Sequence, residues 1–230
     1  DELIKEGVLV PADYKSFFIH DLELESMDIS TGDFLIEQLS NAIIKSSMIE
    51  YACNIYLKEK EKIEGKAISA WFCPDVLVAE ETKRQIERIN LNVELITAKT
   101  PIKERLEILS NHETGEIECL ISVGVLSEGW DNPNCNIIVH LRPTLSKVFW
   151  GQSVGRGLRS AKDKSKCLVI DVSSNFTTFG PVEKLKWKLW NHRKSYLEFK
   201  NRFNWVSKQK YIENRDFTYM LCEGSGDNGK

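Results

Sequence analysis

Between residues 31 and 64, apolar side chains recur every three or four positions, at Leu35, Leu39, Ile43, Ile44, Met48, Tyr51 and Ile55. That spacing predicts one long amphipathic helix, opening at Thr31-Gly32-Asp33 and ending in the charged run 58–64 before Gly65. Beyond it the period changes. Short apolar runs at 67–72, 93–96, 119–123, 136–141 and 167–172 read as strands, with amphipathic segments between them. Helices are predicted over 79–89 and from Thr100 through Leu109, with Thr100 as N-cap and Pro101 at the first helical position. Alternation of this kind predicts an α/β fold with an open, mostly parallel sheet and helices on both faces.

The two ends of the chain break this rhythm. Residues 1–30 mix acids with short apolar groups, and Gly7-Val8-Leu9-Val10-Pro11 reads as an extended connector, so this stretch is expected to be a linker from an upstream domain. From residue 183 the chain turns basic and aromatic, with bases and large apolar groups alternating from Lys184 to Trp190; 183–230 is expected to be an appended extension with a frayed tail. Three segments result: linker 1–30, core domain 31–182, and extension 183–230.

Composition narrows the reading only where it is uneven. The net charge is -3, so no global basic excess marks a polyanion partner. Residues 1–64, however, hold 14 acids against 6 bases, whereas residues 181–210 hold 9 bases against 2 acids. A nucleic acid would be attracted to the second segment and repelled by the first. The six cysteines form no C-x-x-C pair, which argues against a zinc site or a disulfide scaffold and for reduced, buried thiols in a cytoplasmic protein; no metal ligand set is expected. No apolar run approaches the roughly 20 residues needed to span a bilayer, so no membrane partner is expected.

The chemistry concentrates between Leu120 and Arg159. A strand is followed by Val125-Leu126-Ser127-Glu128-Gly129-Trp130-Asp131, a second strand ends in Arg142-Pro143-Thr144, and Gln152-Ser153-Val154-Gly155-Arg156-Gly157-Leu158-Arg159 follows. These residues resemble motifs V and VI of superfamily 2 helicases, E-G-x-D and Q-x-x-G-R-x-x-R. The wording is most similar to the branch holding type III restriction motor subunits and RadD-type DNA-repair helicases. Residues 67–80 stand where motif IV belongs, and 97–105, reading T-A-K-T-P-I-K-E-R, resembles motif IVa. Residues 171–181, reading D-V-S-S-N-F-T-T-F-G-P, resemble the segment that follows motif VI in this branch. The resemblance covers 31–182 and implies the second, C-terminal RecA-like domain of an ATP-dependent DNA helicase or translocase.

What it implies for residues follows position by position. Arg156 and Arg159, with Gln152, would act on the phosphates of ATP, because a planar, permanently charged guanidinium stabilises charge developing on a transferring phosphoryl group. Their backbone is expected to be a loop freed by Gly155 and Gly157, although Gln152 and Arg156 would share a side if a helical turn begins there. Glu128, Gly129, Asp131 and Gly155 would flank the nucleotide. A nucleic-acid track would run over Cys73, Pro74, Lys99 and Thr100, offering amides and a hydroxyl to phosphates. Where related motors carry a strand-end Thr, this chain has Val123 preceded by Ser122, so that contact would fall to Ser122. All these motifs are expected along the carboxyl edge of the sheet.

No G-x-x-x-x-G-K-[ST] loop and no D-E-x-H-like acidic pair occurs at a strand end in these 230 residues. ATP and Mg2+ would therefore be held mainly by an upstream RecA-like domain, and the chain alone is expected to be inactive. RNA in place of DNA, or a binding module that kept the fold without the chemistry, are the alternatives. The intact Asp131, Gln152, Arg156 and Arg159 count against the second.

Overall fold

The computed structural model describes residues 2–126 except 20, 23, 25, 26, 30 and 31, together with 130–185, 212–214 and 217–219. A six-stranded sheet forms the centre, built from β1 (Ala12–Ser16), β2 (Ser69–Phe72), β3 (Val93–Ile96), β4 (Cys119–Ser122), β5 (Ile137–His140) and β6 (Cys167–Asp171), in the order β1-β6-β5-β2-β4-β3. Every pairing in it is parallel. The five strands expected from the apolar runs are all present, each within two residues of the expected bounds.

Both faces of this sheet are covered, and the strands show it residue by residue. On β5, Ile137 and Val139 join one buried cluster while Ile138 joins the other; on β6, Leu168 and Ile170 alternate in the same way with Cys167 and Val169. Helices α2 (Ile36–Lys45), α3 (Met48–Lys60) and α4 (Val76–Arg88) supply the first cluster through Leu39, Ile43, Tyr56, Val78 and Ile86. Helices α5 (Ile102–Thr114) and α6 (Lys147–Gly157) supply the second through Ile108, Trp150 and Val154. The fold is an open RecA-like α/β sheet between two helical layers. A four-residue helix α1 (Glu2–Lys5), a short α7 (Asn175–Phe179), a 3-10 turn (Val182–Lys184) and a hairpin of β7 (Ile212–Asn214) with β8 (Phe217–Tyr219) complete the described elements.

Three expectations change. Residues 12–16 were expected within a connector, but they form the sheet's edge strand β1, paired along its length with β6. Only Ala12 and Tyr14 of A-D-Y-K-S carry apolar surface inward, too few to register as a run; Tyr14 Oη donates to Glu183 at 2.8 Å and Lys166 pairs with Asp13 at 2.6 Å to hold the edge. The single helix expected over 31–64 is two, broken at Ser46-Ser47. There Ser46 Oγ donates to Ile43 O and accepts from Met48 N, while Ser47 N turns to Asp21 Oδ2 at 2.8 Å. Serines that bond to neighbouring backbone compete with the helix ladder, and apolar periodicity does not report it. The helix expected at 100–109 starts at Ile102 and runs to Thr114, ending on Gly115 at φ 73°, a left-handed cap that glycine adopts at little cost.

The basic and aromatic stretch 186–211 lies outside the described residues. No helix among the described residues is long and apolar enough to cross a membrane.

Two histidines are sealed in the second layer. His140 stacks on Phe72 at 5.2 Å and meets Ser153 Oγ at 2.9 Å; burial, with Arg142 nearby, pushes its pKa down to about 3. His112 sits between Ser69 O and Asn132 Nδ2, and burial lowers it to about 4. Both folded values lie below the ordinary value of about 6.5, so the unfolded chain binds protons first. Stability they support is present above that value and lost as pH falls through it. Between pH 6.5 and 5.5 each is expected to cost about 1 kcal/mol, read as a falling melting temperature. A melt flat across that unit would show that the rings do not charge on unfolding.

Candidate nucleotide and nucleic-acid sites

Helix α6 begins at Ser146, whose side chain caps Phe149 N at 3.2 Å, and runs back along the sheet to the amino ends of β5 and β6. Gly157 permits this close approach: a Cβ there would lie 2.5 Å from Ile138 Cγ1 and 2.6 Å from Cys167 Sγ. The segment expected to be a glycine-freed loop is thus the last turn of a helix, and Gly157 serves packing. Gln152, exposed, and Arg156, half-buried, lie four residues apart on one side of that helix. Gly155 faces open space.

Arg159 lies just past the helix. Its backbone is clamped against residues 8–10, through Val10 N donating to Leu158 O at 2.7 Å and an antiparallel bridge between Leu9 and Arg159. The chain from Trp130 to Asn136 comes to meet it. Arg156 Nη1 donates to Trp130 O at 2.7 Å, and Arg159 forms an ion pair with Asp131. Three of the residues assigned to nucleotide chemistry, Asp131, Arg156 and Arg159, therefore converge; a hydrogen bond holds Arg156, whereas Arg159 Nη1, buried, has the Asp131 ion pair but no hydrogen-bond acceptor. Glu128 and Gly129 lie outside the described residues.

The proposed nucleic-acid track is at the opposite end of the strands. Residues 73–74, 97–100 and 122–123 follow the carboxyl ends of β2, β3 and β4, whereas Arg156 and Arg159 lie by the amino ends of β5 and β6. The expectation that every motif lines the carboxyl edge is corrected: α6 carries motif VI back across the sheet.

Several track residues are also committed elsewhere. Cys73 N donates to Ser122 O at 3.1 Å and its thiol is buried, with its pKa pushed up to about 12; Pro74 has no N–H. The amides left to offer a phosphate belong to Val76 and Leu77, in the first turn of α4 after the Asp75 cap. Ser122 is buried and its Oγ accepts from Leu126 N at 3.1 Å, so it does not inherit the strand-end contact. Val123 packs on the first core cluster. Thr100 is not the cap of α5; its Oγ1 accepts from Thr97 N at 3.0 Å, closing a tight corner. Arg105 braces that corner, donating through Nη2 to Thr97 O and Thr100 O. Lys99 is exposed at its tip.

Residues that pattern reading passed over do much of the positioning. Asn132 ties the 130–136 segment to His112 on α5, and Lys164 bonds three carbonyls around it. Asn132 stands in the G-W-D-N-P wording of motif V but was given no role, and Lys164 lies outside every motif; apart from Lys164 to Arg159 O, these contacts span 20 or more residues. Among the described residues, no group of three or more His, Cys, Asp or Glu is placed to hold a metal ion.

Comparison with known proteins bears on the whole arrangement. Residues 41–161 match the helicase conserved C-terminal domain. The chain is 29% identical over 170 residues to a Saccharomyces cerevisiae protein assigned as the ATP-dependent helicase IRC3, covering 74% of this chain and 24% of that protein. It is 24% identical to a 51.5 kDa protein of a Lactococcus phage, covering 81% of this chain and 40% of the relative. The chain thus spans a quarter to two fifths of the length of these relatives. Among solved structures, a fragment assigned as the HsdR subunit of a type I restriction enzyme from Vibrio vulnificus YJ016 aligns with TM-score 0.62 at 21% identity, over 78% of this chain and 35% of that one. The likeness supports the fold.

Proposed function

Because the chain belongs to the helicase conserved C-terminal domain family, we propose that it is the second motor domain of an ATP-dependent DNA helicase or translocase and supplies the arginines of a composite ATPase site. The observation that carries this reading is the convergence of Arg156 and Arg159 on the Trp130-Asp131 turn. An upstream RecA-like domain of the same protein completes the site and holds ATP with Mg2+. The residues here fit the phosphate end of that ligand: two guanidiniums that meet the same Trp130-Asp131 stretch, each partly exposed. Bound ATP supplies the anhydride to be cleaved; this chain's part is to place fixed positive charge against it. Gln152 lies exposed on the same side of α6 as Arg156.

Nucleic acid runs along the carboxyl ends of β2 and β3, at the exposed Lys99 and the Val76 and Leu77 amides, with the corner braced by Arg105. DNA is favoured over RNA by the wording of motifs V and VI. The five described cysteines are all free and buried, in keeping with a cytoplasmic protein.

The test is steady-state ATP hydrolysis by the full-length protein with single-stranded DNA, duplex DNA or RNA, beside the isolated 230-residue chain. DNA-stimulated turnover by the full protein is expected, with negligible turnover by the chain alone. Stimulation by RNA only would replace the substrate class. Robust turnover by the isolated chain would remove the composite site altogether.

A further inference from the structure

We infer that Lys164, outside every helicase motif, is the positioning residue that holds Arg159 and Asp131 in register; the inference rests on the ATPase reading above. Neither Arg159 nor Asp131 lies within a helix or a named strand. Arg159 lies beyond the end of α6, and Asp131 sits in a segment, 130–136, with no helix or strand of its own. One ammonium joins them. Lys164 Nζ donates to Arg159 O at 2.9 Å, to Pro133 O at 2.9 Å and to Cys135 O at 2.6 Å.

The geometry suits lysine and no other residue. An ammonium has three donors and no acceptor, and here three carbonyls use all of them. A guanidinium presents its donors in a plane and cannot converge on three oxygens around one point. The head group is largely withdrawn from water, and that burial lowers its pKa, opposed by Cys167 and Cys135 nearby. A desolvated cation kept in place by backbone carbonyls alone offers no side-chain ion pair to explain it. Its three acceptors flank the two segments whose side chains pair across the site. The tether acts on backbone position, so its loss moves Arg159 and Asp131 relative to each other without touching the charge of either.

Displacement of about 1 Å at a catalytic group can cost on the order of 100-fold in rate. In the full-length protein, Lys164→Met is therefore expected to lower kcat for DNA-stimulated ATP hydrolysis by up to about 100-fold while KM for ATP moves less than threefold. Lys164→Arg is expected to rescue little. The deciding comparison is a double-mutant cycle with Arg159→Ala. If Lys164 works through Arg159, adding Lys164→Met to Arg159→Ala costs little further. Additive losses, an effect confined to KM, or wild-type kcat in Lys164→Met would each overturn the inference. Should Lys164→Met melt below the assay temperature, Lys164→Gln, which keeps an amide donor, carries the same cycle. Arg159→Ala alone keeps the two readings apart: wild-type turnover there defeats the ATPase role, whereas its loss beside an unaffected Lys164→Met defeats only the tether.

Discussion

Replacing Arg159 by Ala in the full-length protein is expected to reduce ATP hydrolysis at saturating DNA by about 10³- to 10⁵-fold, the range of arginine fingers, with little change in melting temperature. The side chain reaches its place from a segment beyond α6, and its visible partner is Asp131, 59% exposed. An ion pair this open to water contributes only about 0 to 1 kcal/mol, so exchanging Asp131 for a phosphate costs little, and losing the pair destabilises little. Lys is expected to rescue poorly, because an ammonium lacks the planar fork. ATP affinity should weaken far less than turnover, since the group acts on charge that develops in the transition state. Wild-type turnover in well-folded Arg159→Ala would defeat the role.

Arg156 is a less clean probe. It is half-buried on the last turn of α6 and donates to Trp130 O, so it fixes the turn carrying Asp131 as well as presenting charge. Arg156→Ala is expected to lose turnover on a similar scale and to lower the melting temperature too. Arg159 is the residue on which chemistry and folding separate.

The sheet was legible in the sequence because its central strands are buried on both faces. Runs such as 137–139 and 167–170 are apolar without a break, as strands covered on both faces require. The edge strand β1 was not legible, since an edge strand buries little and its sequence needs only Ala12 and Tyr14 inward. Asp131, Arg156 and Arg159 could be picked out because they stand in segments that resemble motifs V and VI. The nucleic-acid residues fared less well. Strand-end positions were known, but whether an amide or hydroxyl there is free depends on partners that spacing does not reveal: Cys73 N is taken by Ser122 O, and Ser122 Oγ by Leu126 N. Lys164 was invisible for the same reason, its three acceptors lying 5, 29 and 31 residues away.

The largest loss of stability from a single polar side chain is expected at Asp171, the last residue of β6. It is wholly buried, and its carboxylate accepts from Ser173 N, Ser173 Oγ, Phe176 N at 2.7 Å and Ser16 Oγ at 3.2 Å. It thereby fastens the end of edge strand β1 and shapes the turn in which Ser174 adopts φ 61°. That turn presents Asn175, which accepts from Thr144 N at 3.1 Å and donates to Arg142 O at 2.9 Å, so the loop leading into α6 hangs on the same carboxylate. Burial raises the pKa of Asp171 against the lowering effect of these bonds, so desolvation outweighs them in the net shift. Asp171→Ala removes that desolvation cost but leaves two backbone N–H groups without acceptors, each worth about 1 to 3 kcal/mol. A net loss of about 3 kcal/mol follows, visible as a clear drop in melting temperature. Asp171→Asn is expected to rescue only part of this, because its NH2 must face one pair of donors whichever way the amide is turned. The pH dependence supplies a second readout. A folded pKa above the unfolded one means that the native state takes up this proton first, so stability from it rises as pH falls through that interval, opposite in sign to His112 and His140. Removing the carboxyl should therefore steepen the acid loss of stability set by the two histidines. Unchanged melting of both Asp171 variants across that pH range would show that the carboxylate does not hold the turn.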